Sequence, residues 1–132
     1  MDLINNISVS SVLNRDSKTF GKKNIIDGSS DTCWHSAEGT PQWVKFSFKE
    51  DVTIKGFEIQ FQGGFAGKQC TFKNHTAHNE EEQFYSEDIN GVQKFLLTKP
   101  MAGNIFSFHF ETSTDFFGRI VIYGVKFLFD DS

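Results

Sequence analysis

Apolar and polar residues alternate along much of the chain with the period of two that is typical of β-strands. In Trp43–Lys49 every second residue is apolar, and the same alternation continues as far as Ile54. It resumes at Phe57 one residue out of step, so the slip falls at Lys55-Gly56. An extra residue there would return the apolar side chains to one face, and the sequence therefore predicts a β-bulge at this position.

Two further segments have strand character and two others do not. Asn104–Glu111 alternates cleanly, with phenylalanine at every second position. Phe117–Phe129 is apolar on both faces in its first half, which predicts a central strand, or two strands joined near Gly124. Ser17–Ile26 has room for one short helical turn, and the polar segment Lys73–Gln83 is predicted to be a mobile surface loop.

Several strands separated by loops indicate an all-β fold of antiparallel strands, arranged as a β-sandwich or jelly roll. We expect residues 1–132 to form a single domain, because 132 residues leave no room for a second core. The apolar strand positions are predicted to be buried between two sheets: Val44, Phe46, Phe48, Ile54, Phe57, Ile59, Phe61, Phe106, Phe108, Phe110, Val121, Phe127 and Phe129.

Composition removes several classes of function. Sixteen phenylalanines can fill a sizeable core, so the chain is expected to be folded. Thirteen basic against 17 acidic residues give a net charge of −4, which argues against direct binding of nucleic acid. No apolar run could span a membrane, and no secretory signal is visible. Since Cys33 and Cys70 cannot form a disulfide framework, we expect free thiols and an intracellular protein without a membrane partner.

A short motif resembles a known family signature. Asp27–Trp34 (DGSSDTCW) is similar to the D-G-x-x-x-T-x-W signature of discoidin-type domains, also called coagulation factor C-terminal type domains. The resemblance implies a discoidin-like jelly-roll β-sandwich of the galactose-binding-like class. The residue types suit a tight turn, because Gly28 permits the backbone conformation and the side chains of Asp27 and Thr32 can bond the loop.

A longer resemblance narrows the family. Ser10–Phe48, Phe61–Phe65, Phe84–Asp88 and Thr114–Tyr123 together resemble intracellular discoidin-like proteins named for association with an orphan nuclear receptor of the testicular-receptor type. The match fails in Ala66–Gln83 and at the extreme termini. The resemblance implies a non-catalytic protein–protein interaction module that represses its receptor partner, in the nucleus or the cytoplasm.

The Asp27 turn is also a candidate for a weak Ca²⁺ site. Some relatives with this fold bind Ca²⁺ through this loop, which makes Asp27, Asp31 and Thr32 candidate ligands. The glutamate that completes such a site is expected near Gly124, which offers no side chain, and Ca²⁺ needs six to eight oxygens. The alternatives are a structural turn held by hydrogen bonds, which the ligand count favours, and a bound cation.

Five residues in or beside predicted loops form the candidate binding face: Trp34, His35, Phe65, Phe116 and Arg119. Aromatic side chains at loop tips commonly dominate protein interfaces. Trp34 is expected to be buried at the end of the core. Phe65 is expected to be the most exposed contact, because the glycines around it make its loop pliable.

Arg119 lies in a strand that is otherwise apolar, and a buried unpaired charge is costly. One interpretation is a structural ion pair with Asp115 or with an acid of Asp27–Asp31. The other is a polar anchor for a ligand or partner, since a guanidinium suits carboxylate and phosphate groups. The burial argument favours the structural pair.

Other functions find less support in the sequence. No recognisable catalytic motif is present, so an enzyme is not expected. A carbohydrate-binding module would need an exposed aromatic platform, and Trp34-His35 with Arg15 or Gln42 is the candidate cluster. A small subunit of a larger assembly, such as a ciliary one, is a third alternative. Cys70, His75 and His78 lack the paired spacing of a zinc site and are interpreted as solvated loop residues.

Overall fold

Seven strands and one short helix make up the part of the chain that the structure, a computed structural model, describes, namely residues 3–76 and 80–130. The strands are β1 (Ile4–Val9), β2 (Trp34–His35), β3 (Gln42–Phe61), β4 (Gln69–Asn74), β5 (Glu81–Tyr85), β6 (Val92–Phe110) and β7 (Val121–Phe129). The helix α1 (Ser17–Phe20) lies between 3-10 turns over Leu13–Arg15 and Lys22–Ile25. The helical turn predicted within Ser17–Ile26 is therefore confirmed.

The long strands β3 and β6 each take part in two sheets. The first half of β3 pairs with β1 and with the second half of β6, and β4 and β5 extend this first sheet. The second half of β3 pairs with the first half of β6 and with β7, whose other side carries β2, to form the second sheet. All of these pairings are antiparallel.

The two halves of β3 are joined through the bulge that the sequence predicts. Its pairings with β6 and with β7 both shift register between Ile54 and Gly56. A Cβ atom at Gly56 would lie 2.5 Å from the carbonyl oxygen of Phe95, so the neighbouring backbone demands glycine here. A second register shift falls between Ser47 and Val52. Because bulges bend a strand, these irregularities let the two halves of β3 face each other.

Phenylalanine rings from the two sheets meet in the core. The ring centroids of Phe57 in the second sheet and Phe108 in the first are 4.8 Å apart, and those of Phe46 and Phe127 are 4.9 Å apart. Every residue of the predicted core is buried except Phe129, which is half-buried at the end of β7. The all-β jelly-roll sandwich predicted from the sequence is confirmed.

The sequence predicted a single mobile loop over Lys73–Gln83, and this prediction is wrong. Strand β4 continues to Asn74 and β5 begins at Glu81, so much of the segment belongs to a β-hairpin. His78 lies outside the described residues. The prediction failed because Phe84 is the only residue of β5 whose side chain is buried in the core. A single apolar side chain does not produce a recognisable alternating pattern.

The last predicted strand begins later than its apolar pattern suggests. Phe117–Phe129 is a strand only from Val121 onward, and the preceding residues form a turn. Strand β7 runs unbroken through Gly124 and has β3 along one side. On its other side, within residues 3–76 and 80–130, it pairs only with the two residues of β2, so β7 is a central strand over a short stretch.

Candidate functional site

The turn between β6 and β7 lifts two phenylalanines away from the protein. The N–H of Gly118 donates to the carbonyl of Asp115 at 3.0 Å, and the N–H of Gly39 donates to the carbonyl of Phe117 at 2.8 Å. Gly118 has a φ of +79°, and a Cβ atom there would lie 2.8 Å from the backbone of Gly39. The turn therefore requires glycine, and it leaves Phe116 93% and Phe117 53% exposed.

Arg119 is held against the same turn by an ion pair. Its Nε and Nη2 atoms donate to the two carboxylate oxygens of Asp115 at 2.8 and 3.1 Å, and its backbone N–H donates to that carboxylate at 3.0 Å. The hydrogen bond from the guanidinium lowers the pKa of Asp115, and the same bond raises the pKa of Arg119. Of the acids considered from the sequence, Asp115 is thus the partner, and the structural ion pair is confirmed.

The Arg119 guanidinium joins aromatic rings from distant parts of the chain. Its central carbon lies 5.1 Å from the ring centroid of Phe65 and 5.4 Å from that of Phe117. The imidazole of His35 lies 6.0 Å from the Phe65 ring, and its Nδ1–H donates to the carbonyl of Ser36. We call the resulting row of groups, whose ring pairs are tilted or T-shaped, the aromatic ladder: Phe20, His35, Phe65, Arg119, Phe117 and Phe116.

The ladder brings together four of the five residues of the predicted binding face. His35, Phe65, Phe116 and Arg119 all belong to it, although 84 positions separate the first from the last. Sequence reasoning missed Phe20 and Phe117. Phe117 stands between Phe116 and Gly118, a residue that often forms turns, but its apolar side chain was interpreted as the beginning of the strand predicted over Phe117–Phe129.

The loop around Phe65 is anchored, contrary to the pliable loop expected from its glycines. The N–H groups of Gly63 and Gly64 donate at 2.7 Å to side-chain oxygens of Asn90 and Asp88, respectively. The N–H of Val121 donates to the carbonyl of Phe65 at 3.0 Å. Phe65 is half-buried as a result, and the most exposed aromatic contact is Phe116 instead.

Trp34 is fully buried, as expected for a residue that closes the core, and it cannot offer a contact surface. Its Nε1–H donates to the carbonyl of Ser11 at 2.9 Å. Gln42 is only 5% exposed, and its amide bonds two serine hydroxyls and two backbone carbonyls. The inclusion of Trp34 in the binding face is therefore wrong. The cluster considered for sugar binding cannot use the Trp34 ring as its exposed platform.

The carboxylate of Asp27 is used within its own turn. Its Oδ1 accepts the N–H of Ser29 at 2.9 Å, and its Oδ2 accepts the hydroxyl of Thr32. Asp31 joins the turn through its backbone N–H, which donates to Ser29 Oγ at 3.1 Å. These side chains bond each other and supply few of the six to eight oxygens of a Ca²⁺ site, so the fit to that ion is poor.

Within the described residues, no group of three or more His, Cys, Asp and Glu side chains is placed to hold a metal ion. Over the same residues, no helix has the length and apolar character needed to cross a membrane. Both cysteines are free thiols in the structure, and burial raises the pKa of Cys70 to about 12.

Comparisons with known proteins agree with the resemblance seen in the sequence. Residues 6–121 match the family model of the F5/8 type C domain. Nuclear receptor 2C2-associated protein from Danio rerio is 42% identical over 123 residues, which cover 91% of this chain and 87% of the relative. The protein of the same name from Homo sapiens is 39% identical and covers 91% of this chain and 88% of the relative.

Solved structures of low sequence identity share the fold. The family 32 CBM from C. perfringens NanJ in complex with galactose has a TM-score of 0.77 at 14% identity, covering 92% of this chain and 91% of that chain. An F5/8 type C domain from Bacteroides fragilis has a TM-score of 0.79 at 17% identity, covering 92% and 89%. The chain therefore belongs to the F5/8 type C, or discoidin-like, domain family, together with the nuclear receptor 2C2-associated proteins.

Proposed function

We propose that this protein is a non-catalytic interaction module that binds a nuclear receptor through the exposed end of the aromatic ladder. The observation that carries the proposal is Phe116, which is 93% exposed at the tip of a turn fixed by hydrogen bonds. A large apolar side chain on a backbone turn that is already fixed favours association, because the backbone loses little conformational entropy on binding. The names of the relatives supply the class of partner.

The groups around Phe116 suit a protein interface. Phe117 adds a second exposed ring whose centroid lies 5.2 Å from that of Phe116. Asp115 and Arg119 form a polar rim that is already paired, so docking does not leave either charge without its partner. Aromatic residues of this kind are frequent hot spots whose truncation costs about 2 kcal/mol or more, a loss of roughly 30-fold in affinity.

A non-catalytic role is supported by the state of the nucleophilic side chains. The hydroxyl of Ser107 contacts two imidazoles, but the residue is only 1% exposed and out of reach of a substrate. Cys70 is 2% exposed, and its raised pKa keeps it a thiol at neutral pH. We expect that the protein needs no cofactor. We also expect the Asp27 turn to be a structural element that binds Ca²⁺ weakly at most.

The role in the cell follows from the partner. We expect the protein to act as a repressing partner of the receptor, in the nucleus or the cytoplasm, without contacting DNA itself. Its net charge of −4 supports the absence of direct DNA binding. A receptor-driven reporter gene should therefore be repressed by the wild-type protein and released by variants that lose receptor binding.

The direct test is the affinity of nuclear receptor 2C2 for purified variants of the protein. Phe116→Ser should weaken binding by roughly 30-fold, with the melting temperature unchanged. Tyr85→Ser is the matched control, because Tyr85 is an aromatic residue that is 63% exposed on edge strand β5. Wild-type affinity in Phe116→Ser would contradict the proposed surface, and a wild-type protein that does not bind the receptor would contradict the proposed partner.

A further inference from the structure

Ser107 is the centre of a polar cluster on the outer face of the first sheet, away from the aromatic ladder. Its neighbours Phe106 and Phe108 are buried in the core, so its own side chain lies on the opposite face of β6. Its Oγ lies 2.6 Å from Nε2 of His75 and 2.7 Å from Nε2 of His109. Ser107 is nevertheless only 1% exposed, so the groups around it cover the hydroxyl.

Two lysines flank the same serine across the strands. Lys45 on β3 and Lys73 on β4 are both register partners of Ser107, one on each side of β6. Residues paired directly across antiparallel strands lie on the same face of a sheet. The two lysines therefore lie on either side of Ser107, His109 follows it two residues along β6, and His75 lies just beyond the end of β4, where its N–H donates to the carbonyl of Ile105.

The hydrogen bonds at the centre leave a donor available. A serine hydroxyl has one proton, so it can donate to only one of the two imidazoles. When both imidazoles are neutral, the accepting histidine carries its proton on Nδ1. Among the described residues, neither His75 nor His109 has a hydrogen-bond partner at Nδ1. One N–H donor of the cluster is thus free for a ligand.

Over residues 3–76 and 80–130, the two lysines of the cluster are not held in ion pairs, although Glu81 on β5 is the register partner of Lys73. Neither Lys45 nor Lys73 has a carboxylate within ion-pair distance in the part of the chain that is described. The charged groups that act on the histidines are Lys45, Lys73, Glu81 and Glu111. Burial is the main cause that lowers the pKa of both His75 and His109. Lys45 and Lys73 add to the effect at His75, and Lys73 and His75 add to it at His109, where Glu111 and Glu81 oppose it.

We infer that this cluster of two lysines and two histidines around Ser107 is a binding site for a dianionic phosphate or sulfate group. The ammonium groups supply charge, and the imidazoles supply short, directional N–H donors. An anion would gain more from the cluster after a histidine takes up a proton, so binding and protonation of the histidines should reinforce each other. The site does not depend on the receptor surface, which lies at the loop end.

The second sheet contains a natural control for this cluster. Lys94 on β6 and Lys126 on β7 flank Glu58 of β3 in the same way, as register partners on its two sides. The arrangement of lysines is similar, but a carboxylate stands at the centre in place of a serine. The lysine row of the second sheet should therefore not bind anions appreciably, because its central charge is negative.

The experiment is an NMR titration of the full chain with sodium sulfate, read from the imidazole signals at constant ionic strength. Sulfate keeps its charge of −2 between about pH 5 and pH 8, so changes with pH report the protein groups. The signals of His75 and His109 should shift saturably, and their pKa values should rise. His35, which belongs to the aromatic ladder, should not respond. Affinity should increase as the pH falls from about 7.5 to about 5.5.

Variants then separate a specific site from general charge attraction. Lys45→Gln/Lys73→Gln should lose about tenfold or more in sulfate affinity, whereas Lys94→Gln/Lys126→Gln should bind as the wild type does. Both double variants change exposed or half-exposed lysines and should fold normally. Equal losses in the two double variants, or imidazole shifts reproduced by sodium chloride at the same ionic strength, would overturn the site.

A second arm identifies the source of the anion. Inorganic phosphate and a phosphoserine tetrapeptide should compete with sulfate for the wild-type protein. The site is one for phosphorylated protein segments if the phosphopeptide binds more tightly than inorganic phosphate and the unphosphorylated peptide does not bind. Equal or weaker binding of the phosphopeptide supports a site for the free anion, and failure of both to displace sulfate would contradict the proposal.

Discussion

Two turns in this protein are each held by the carboxylate of one aspartate. The aromatic residue associated with the first turn is buried, whereas the one in the second turn is exposed. Asp27 bonds the N–H of Ser29 and the hydroxyl of Thr32, and the chain then leads to the fully buried Trp34. Asp115 bonds Arg119, and the turn lifts Phe116 into solvent. In both turns the aspartate fixes the local backbone. Whether the turn stabilises the core or presents a binding surface depends on where the next aromatic side chain lies.

The two carboxylates also differ in the charge of their partners. The donors to Asp27 are a neutral amide and a neutral hydroxyl. The donors to Asp115 include a guanidinium, and the side chain of Asp115 is only 10% exposed. A charged hydrogen bond at a largely shielded position is the stronger of the two. The Asp115 turn should therefore be the more sensitive to mutation and to pH.

The largest expected difference concerns the two aromatic residues. Trp34→Ala should cost about 3–5 kcal/mol of unfolding free energy, because it leaves a cavity in the core and an unpaired carbonyl. Phe116→Ala should change stability by less than about 0.5 kcal/mol, since its ring is exposed. Denaturant unfolding of both variants measures the contrast. Similar losses in the two variants would mean that the turns do not differ in the way described.

Replacing the aspartate of the exposed turn should have the next largest effect. Asp115→Asn should lower the melting temperature by about 4–8 °C at pH 7, because the bidentate pair with Arg119 is lost. Receptor binding should weaken as well, since the guanidinium no longer holds the ladder in place. Glu38→Gln is the control, because Glu38 affects Arg119 through its charge alone. An equal fall in both variants would contradict a specific role for the ion pair.

The effect of Asp115 should depend on pH in a defined direction. Its pKa in the folded protein is lowered, so its stabilising contribution is complete above the ordinary aspartate pKa of about 4. The contribution is lost as the pH falls from there through the lowered folded value. The gap in melting temperature between wild type and Asp115→Asn should therefore be constant near neutral pH and shrink as the pH falls below about 4. A gap that widens on acidification would contradict the direction of the shift.

The Asp27 turn should show a smaller loss that does not involve calcium. Asp27→Ala should cost about 1 kcal/mol in the presence of excess chelator, because two hydrogen bonds of an exposed turn are removed. Asp31→Ala is the matched control, since Asp31 joins the turn through its backbone N–H. If Asp27→Ala matched the wild type in chelator but not in Ca²⁺, the turn would be a metal site.

The smallest expected effect is that of calcium itself. A site with few charged ligands binds Ca²⁺ with a Kd of roughly 10⁻⁴–10⁻³ M. Ligand stabilisation follows RT ln(1 + [L]/Kd), so about 0.1 mM Ca²⁺ should raise the melting temperature by less than about 2 °C relative to chelator. A large shift at micromolar Ca²⁺ that disappears in Asp27→Ala would show that the turn is a regulated metal site.

The sequence predicted the core well because the buried face of a strand follows directly from apolar residues at every second position. Phe106, Phe108 and Phe110 alternate without interruption, and all three are buried. The bulge at Gly56 was also predictable, since a change of phase in that alternation has few other structural solutions. What the pattern could not show was a strand with a single buried apolar side chain, such as β5 in its hairpin with β4.

The candidate site was predictable in part. The sequence pointed to Phe116 and Arg119 for the binding face and to Asp115 as a partner of Arg119, but composition cannot tell an exposed phenylalanine from a buried one. Phe117 was predicted to begin a strand because the left-handed conformation of Gly118 is not visible in the sequence. The cluster around Ser107 was missed since its members come from β3, β4 and β6, and only strand register brings them together.

The most direct test of the central claim is a hydrogen-exchange footprint of the protein bound to nuclear receptor 2C2. The account predicts that the receptor protects the backbone of Asp115–Arg119 and of the loop that carries Phe65, while edge strand β5 exchanges as in the free protein. Protection that is confined to β5 or to the face around Ser107, with the Asp115–Arg119 turn unchanged, would contradict the proposed docking surface.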